Sequence, residues 1–165
     1  MSDWEEIVSE HGPPTYRSAW RILRQTEDCE DCLQDVFVEA HKLYLAGKVT
    51  HWRTFLSRLV TFRALDLLRR RKKTTSLDHM QLFDASIGPE AAIIAAEDIV
   101  RVRELIAELP KHQAAVFCLV HLEELSHVEI ANTLNITTNA VALALHKARA
   151  SLRQLVEKSN KENQK

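Results

Sequence analysis

Glycine and proline are scarce in this chain, with three and four in 165 residues. So few breaking residues, beside 45% hydrophobic ones, describe a helical globular protein and exclude a disordered one. Cysteine is scarce too. Cys29, Cys32 and Cys118 form an odd set, and in a reducing compartment they are expected to stay as thiols. No run approaches the roughly 18 apolar residues of a transmembrane helix, so no membrane insertion is expected. The first residues, MSDWEEIVSEHG, are acidic and lack the basic-then-apolar order of a signal peptide, which predicts a cytoplasmic protein. There is no alternating strand pattern of useful length and no repeat of 20 to 50 residues. No nucleophile–base pair, phosphate loop or complete metal set appears either, so neither an enzyme nor a cofactor is expected.

What is present is a segregation of charge behind a net charge of −1. From Thr26 to Ala40 stand six acids (Glu27, Asp28, Glu30, Asp31, Asp35, Glu39) and no base. From His51 to Lys73 stand eight bases (Arg53, Arg58, Arg63, Arg69, Arg70, Arg71, Lys72, Lys73) against Asp66. A neutral chain with one acidic and one basic helix has two different partner surfaces.

Helical periodicity runs through most of the chain. A first helix covers about Trp4 to Glu10 and is broken by Gly12-Pro13-Pro14, and a second covers about Thr15 to Arg24. The acidic helix spans about Glu27 to Leu45 and ends at Gly47; the basic one spans about Trp52 to Arg71. Thr74 to Gly88 loses the periodicity and reads as a linker. Pro89 then opens a helix running to Leu109, and Pro110 opens another through about His121. The expected fold is all-α: two small helical domains, residues 1–73 and 89–158, joined by a flexible linker over 74–88, with a frayed tail at 159–165.

The stretch Leu125 to Leu155 carries two amphipathic patterns a few residues apart. Ser126 and Glu129 make an S-x-x-E capping box, which satisfies orphan amides at a helix start. Asn135 suits the left-handed position that ends that helix. Thr137 caps the next, where Val141, Leu145, Ala148, Leu152 and Leu155 recur at helical spacing. Two short helices joined by a tight turn are how a protein places a helix end in a DNA major groove.

Cys29-x-x-Cys32 admits zinc, redox and packing readings. Zinc needs two more ligands, for which His41 and His11 are conceivable, and a redox motif is expected beside a βαβ pattern that is missing here. Cys32 continues the apolar face of the acidic helix with Val36, which favours packing.

The order of these parts resembles the extracytoplasmic-function (ECF) group of the sigma-70 family of bacterial RNA polymerase sigma factors. Asp28-Cys29-Glu30-Asp31-Cys32-Leu33-Gln34-Asp35-Val36-Phe37 is similar to its D-A-E-D-x-x-Q-[ED]-[VA]-F motif. Trp52-Arg53-Thr54-Phe55-Leu56 and Ala64-Leu65-Asp66-Leu67-Leu68-Arg69-Arg70 resemble F-R-x-W-L and A-x-D-x-L-R-R. Leu109-Pro110 through Phe117, Leu125 through Ala131, and His146-Lys147-Ala148-Arg149 resemble its L-P-x-x-x-x-x-V-F, L-S-x-x-E-I-A and L-H-R-A-R. The resemblance implies that Glu30, Asp31, Gln34, Asp35 and Glu39 dock on core RNA polymerase. It implies that the basic helix engages the −10 promoter DNA, with Arg53, Arg58, Arg63, Arg69, Arg70, Arg71, Lys72 and Lys73 on phosphates and His51 or Trp52 as an aromatic surface. Core packing is the other reading of Trp52. Phe62 stands where the family usually carries Asn or another polar residue.

The recognition helix departs from T-V-K-S-R-L-H-R-A-R: Ala142 and Ala144 replace its two cations, and Leu143 points outward. From Leu109 to Glu157 the charge balances, with Lys111, Lys147, Arg149 and Arg153 against Glu123, Glu124, Glu129 and Glu157. Phosphate neutralisation drives much of DNA affinity, so weak −35 binding is expected. The residues expected at the −35 DNA are Thr138, Asn139, Ala140, Ala142, Leu143, His146, Lys147, Arg149 and Arg153: Thr138 and Asn139 reach base edges, Ala or Leu touches thymine methyls, and Lys147, Arg149 and Arg153 hold the backbone. The family further implies an anti-sigma factor as partner. The leading function is a sigma factor directing promoter-specific initiation. A second is a sigma-like interaction protein whose apolar recognition face binds an anti-sigma or other protein. A third, a helix-turn-helix regulator acting without polymerase, leaves the acidic helix unexplained.

Overall fold

The computed structural model describes residues 3–74 and 101–164, and within them every regular element is a helix. The helices are α1 (Asp3–Leu23), α2 (Thr26–Leu45), α3 (Trp52–Thr74), α4 (described over 101–108), α5 (Lys111–His121), α6 (His127–Leu134) and α7 (Thr138–Asn163). Residues 75–100, which hold most of the predicted linker and the first part of the helix predicted from Pro89, lie outside the described residues.

Two elements differ from the sequence expectation. α1 is one helix through Gly12-Pro13-Pro14, not two. A proline inside a helix deprives the carbonyl four residues back of its donor. Here those carbonyls belong to Ser9 and Glu10, both on exposed positions where water can serve them. The far side of the same helix buries Thr15, Ser18, Ala19, Ile22 and Leu23, so tertiary packing overrides local propensity. Thr15 and Ser18 turn their hydroxyls back onto the carbonyls of His11 (2.6 Å) and Pro14 (3.1 Å), which lets polar residues lie buried. α7 also continues to Asn163, through the tail predicted to fray from 159.

The local signals at the C-terminal end act as their chemistry requires. The Ser126 hydroxyl accepts from the Glu129 amide at 3.1 Å, and the Glu129 carboxylate accepts from the Ser126 amide at 3.1 Å. Asn135 adopts φ 55°, ψ 49° and closes α6, and Thr137 caps α7 through the Ala140 amide at 3.1 Å. Gly47 ends the turn after α2 at φ 64°.

A small core holds the helix-turn-helix together: Val116, Leu119, Leu125, Ile130, Ala131, Val141, Ala144 and Leu145. The larger core is not confined to either half. Ala19, Leu23, Cys29, Cys32, Val36, Leu56, Val60 and Leu65 of α1–α3 are continuous with Ile106, Leu109, Ala114, Cys118 and Ala148. Full burial of a Leu or Ile contributes about 1.5–3 kcal/mol, so this apolar seam outweighs any single polar contact across it.

Candidate polymerase and promoter surfaces

α2 presents its acids as a stripe. Cys29, Cys32, Val36 and Ala40 are buried, which turns Glu30, Asp31, Gln34 and Asp35 to solvent. Leu33 and Phe37 pack on the core as expected. Glu39, the last residue predicted on this face, is half-buried and paired with Arg63 at 3.4 Å. Sequence reasoning missed Val38 and Leu45, which are 54% and 70% exposed. Val38 continues the stripe one turn after Asp31–Asp35, and Leu45 lies two turns further on. An apolar residue on a polar helix face was the available signal. The thiols of Cys29 and Cys32 are wholly buried, and burial pushes them up to about 11 and about 12. Thiols held protonated in this way act as small core residues.

α3 uses its basic residues largely inside the molecule. Arg71 pairs with Asp28 of α2 and donates to the Leu23 carbonyl at 3.0 Å, tying the end of α1 to both neighbours. Arg69 donates to the Leu109 carbonyl at 2.7 Å. Arg63 is held by Glu39, and Arg58 lies over the Phe55 ring at 5.7 Å. Arg53 keeps a 68% exposed side chain 3.9 Å from Glu129, and Arg70 is exposed. The side chains of Lys72 and Lys73 lie outside the described residues.

His51 is exposed at the start of α3, while Trp52 joins an aromatic group. Its ring lies 6.0 Å from Trp4, 6.2 Å from Tyr44 and 5.7 Å from Phe55. Trp4 also meets His41 at 4.8 Å and Phe37 at 6.3 Å. Trp52 is therefore packed through its neighbours and yet only half-buried, so one surface of the group remains accessible beside the α2–α3 turn. Phe62 is half-buried with the Lys111 ammonium 5.7 Å from its ring centre.

The recognition helix α7 points its second turn outward. Val141, Ala144, Leu145 and Ala148 are buried, leaving Thr138, Asn139, Ala142, Leu143, His146 and Lys147 exposed and Ala140 half-buried. Leu143 is 53% exposed and Val128, at the start of α6, 59%. Arg149 and Arg153 are exposed too; Arg149 lies 3.3 Å from the Nε2 of His121, whose pKa burial and that guanidinium lower.

Two family models match the two halves: Sigma-70 region 2 over residues 7–74 and Sigma-70, region 4, over residues 99–152. The chain belongs to the sigma-70 family, in its ECF group. Among curated sigma factors it is 26% identical to SigW of Bacillus subtilis over 161 residues, covering 90% of this chain and 86% of that one. It is 27% identical to SigE of Mycolicibacterium smegmatis over 169 residues, spanning 98% of this chain and 65% of the relative. The fold is similar to that of CnrH solved with the cytosolic domain of CnrY (TM-score 0.62, 22% identity, 94% and 88% of the two chains). It is also similar to RpoE solved with the anti-sigma factor NepR from Bartonella quintana (TM-score 0.60, 16% identity, 95% and 98%). The region 2 match falls on α1–α3, and the region 4 match takes in α5, α6 and α7 as far as residue 152. Among the described residues no helix is long and apolar enough to cross a membrane.

Proposed function

We propose that this ECF sigma factor binds core RNA polymerase through the stripe Glu30, Asp31, Gln34, Asp35 and Val38 on α2, and brings it to a subset of promoters. The observation that carries this reading is the stripe itself: exposed carboxylates around an exposed valine, on a helix whose other face is fully buried. Asp28 and Glu39 of the six acids serve Arg71 and Arg63 of α3; the exposed remainder gains no i,i+4 support, because no base stands among them within Thr26–Ala40. The −10 DNA engages α3 through Arg53, Arg70 and the lysines at its end, with the Trp4–Trp52 aromatic group offering a stacking surface to an unpaired base. The −35 DNA meets Thr138, Asn139 and the exposed second turn of α7, with Lys147, Arg149 and Arg153 on the backbone. Residues 1–73 and 89–158 are the corresponding functional units, and the cytoplasm, where core polymerase works, is the place of action.

Run-off transcription with purified core polymerase and genomic promoter fragments tests this reading. Promoter-dependent transcripts are expected, and Asp31→Ala with Asp35→Ala should weaken polymerase binding. No binding to core polymerase by the wild-type protein refutes the reading.

A second reading is favoured by the exposed apolar residues of region 4. Val128, Ala142 and Leu143 offer methyl surface where a phosphate-binding helix would carry cations. We propose that a protein partner, of the anti-sigma kind that accompanies RpoE in its solved complex, covers this face. Ala144, where the family carries its second cation, is buried in the helix-turn-helix core and is not part of this face; Ala142→Lys on the exposed side should raise DNA affinity and steepen its salt dependence.

A further inference from the structure

We propose that a cavity walled by α1, α3, α4 and α5 binds a small amphipathic anion: an apolar chain of about eight carbons ending in a carboxylate or a phosphate. None of its residues belongs to the polymerase and promoter surfaces described above. Ile22 of α1, Leu65 and Leu68 of α3, Ile106 of α4 and Cys118 of α5 supply apolar walls around about 270 Å³. Burial pushes the Cys118 thiol up to about 12, so it adds no charge to the wall. Val102 of α4, 48% exposed, stands on the open side. Every charged side chain on the lining is an arginine: Arg21, Arg24 and Arg103. Arg21 is engaged, 3.6 Å from Glu123 and donating to the Leu122 carbonyl at 3.1 Å. Arg24 and Arg103 are different. Their Nε groups are buried and have no hydrogen-bond acceptor. Arg103 also lies among like charges: burial, then Arg24 and Arg71, bring its pKa down to about 10, against a smaller opposing effect of Glu104.

A buried donor without an acceptor and like charges brought together are each destabilising. One anion set against Arg24 and Arg103 relieves both, since it accepts from the guanidiniums and neutralises their excess charge. The planar guanidinium fork suits a carboxylate or a phosphate oxygen pair equally well. The apolar walls decide what the anion is attached to. An inorganic ion would leave those walls in water, and a plain hydrocarbon would leave the arginines without an acceptor. A molecule with an apolar body and one anionic end satisfies both parts of the site. Its size follows from the cavity. An apolar cavity of about 150 Å³ holds a benzene-sized guest, so 270 Å³ takes roughly ten non-hydrogen atoms.

The test uses the full chain with isoleucine methyl groups labelled for NMR, and octanoate and octyl phosphate as probes. The Ile22 and Ile106 methyl resonances should shift saturably with at least one probe, with a Kd below about 1 mM. Acetate and inorganic phosphate should leave them in place, and 1-octanol should bind at least about tenfold more weakly than the better anion. Arg103→Gln and Arg24→Asn should each weaken that anion about tenfold. Asn is chosen at position 24 because it tolerates the left-handed φ of 53° found there. Both variants should keep or raise the melting temperature of the protein without probe, because each removes one of several neighbouring like charges; an arginine with a merely structural role would lower it. Val102→Trp, which places an indole across the open side, should block binding without changing charge. Failure of both probes to shift Ile22 and Ile106 overturns the proposal. So does octanol binding as tightly as the anions, or an affinity that survives both arginine changes. Core polymerase takes no part in these readouts, so they stand or fall apart from the sigma reading.

Discussion

The two helices expected to meet DNA carry opposite relations between charge and availability. α3 has eight basic residues over Arg53–Lys73, and much of that charge is spent on Asp28, Glu39, the carbonyls of Leu23 and Leu109, and the Phe55 ring. α7 has few cations, yet Lys147, Arg149 and Arg153 all stand exposed. A count of basic residues therefore overstates the field that α3 offers and understates what α7 keeps. Phosphate affinity depends on cations that can shed their protein partners, so the two helices are closer as DNA surfaces than their compositions suggest.

The comparison makes α3 as much a structural element as a DNA-binding one, and the strongest way to break it is through its core face. Leu65 is fully buried within the core that both halves share. Leu65→Ala should cost about 2–5 kcal/mol in urea unfolding. Probes in α1 and in α7 should lose structure together, and two separated transitions would show that the halves do not depend on α3 equally. A smaller effect is expected from Arg71→Gln. Removing a guanidinium that holds Asp28 and the Leu23 carbonyl should lower stability by about 1–3 kcal/mol. The matched change on α7, Arg153→Gln, should stay within about 0.5 kcal/mol. Equal losses would erase the distinction between spent and available cations.

Lys147→Gln sharpens the same distinction from the other side. It should leave the melting temperature in place and lower the slope of log affinity against log salt by about one for duplex DNA. A cation already engaged in the fold would move the melting temperature instead.

The helix-turn-helix was legible because each of its boundaries is set by one side chain acting on nearby backbone: Ser126 and Glu129, Asn135, Thr137. The buried faces of α2 and α3 followed from periodicity for the same local reason. Residues whose state depends on distant partners were not legible. Pro13 and Pro14 read as a break because nothing nearby says that the far side of α1 is buried and that Ser9 and Glu10, whose carbonyls lose their helical donors, stand exposed. Arg69 and Arg71 read as phosphate ligands because their acceptors, Leu109 and Leu23, lie 40 and 48 residues away. Glu123 gave no sign at all, since its burial arises only where α1, α3 and the α5–α6 turn converge.

The smallest effect expected is a pH dependence located in the capping box, and its sign follows from which state holds the proton. The Glu129 carboxyl lies below its ordinary value of 4.5 because the Ser126 amide and then the Ser126 hydroxyl hydrogen-bond it, with Arg53 nearby. In the unfolded chain those partners are gone and the ordinary value returns. The contribution is therefore complete above pH 4.5 and is lost as pH falls through the lower folded value. Gln at this position keeps the acceptor oxygen without the charge, so Glu129→Gln should unfold earlier in urea than wild type near neutral pH. The gap between their urea midpoints should narrow as pH falls below 4.5 and shrink when salt screens Arg53. A gap that stays constant with pH would mean that the hydrogen-bond geometry of the box, and not its carboxylate charge, starts α6.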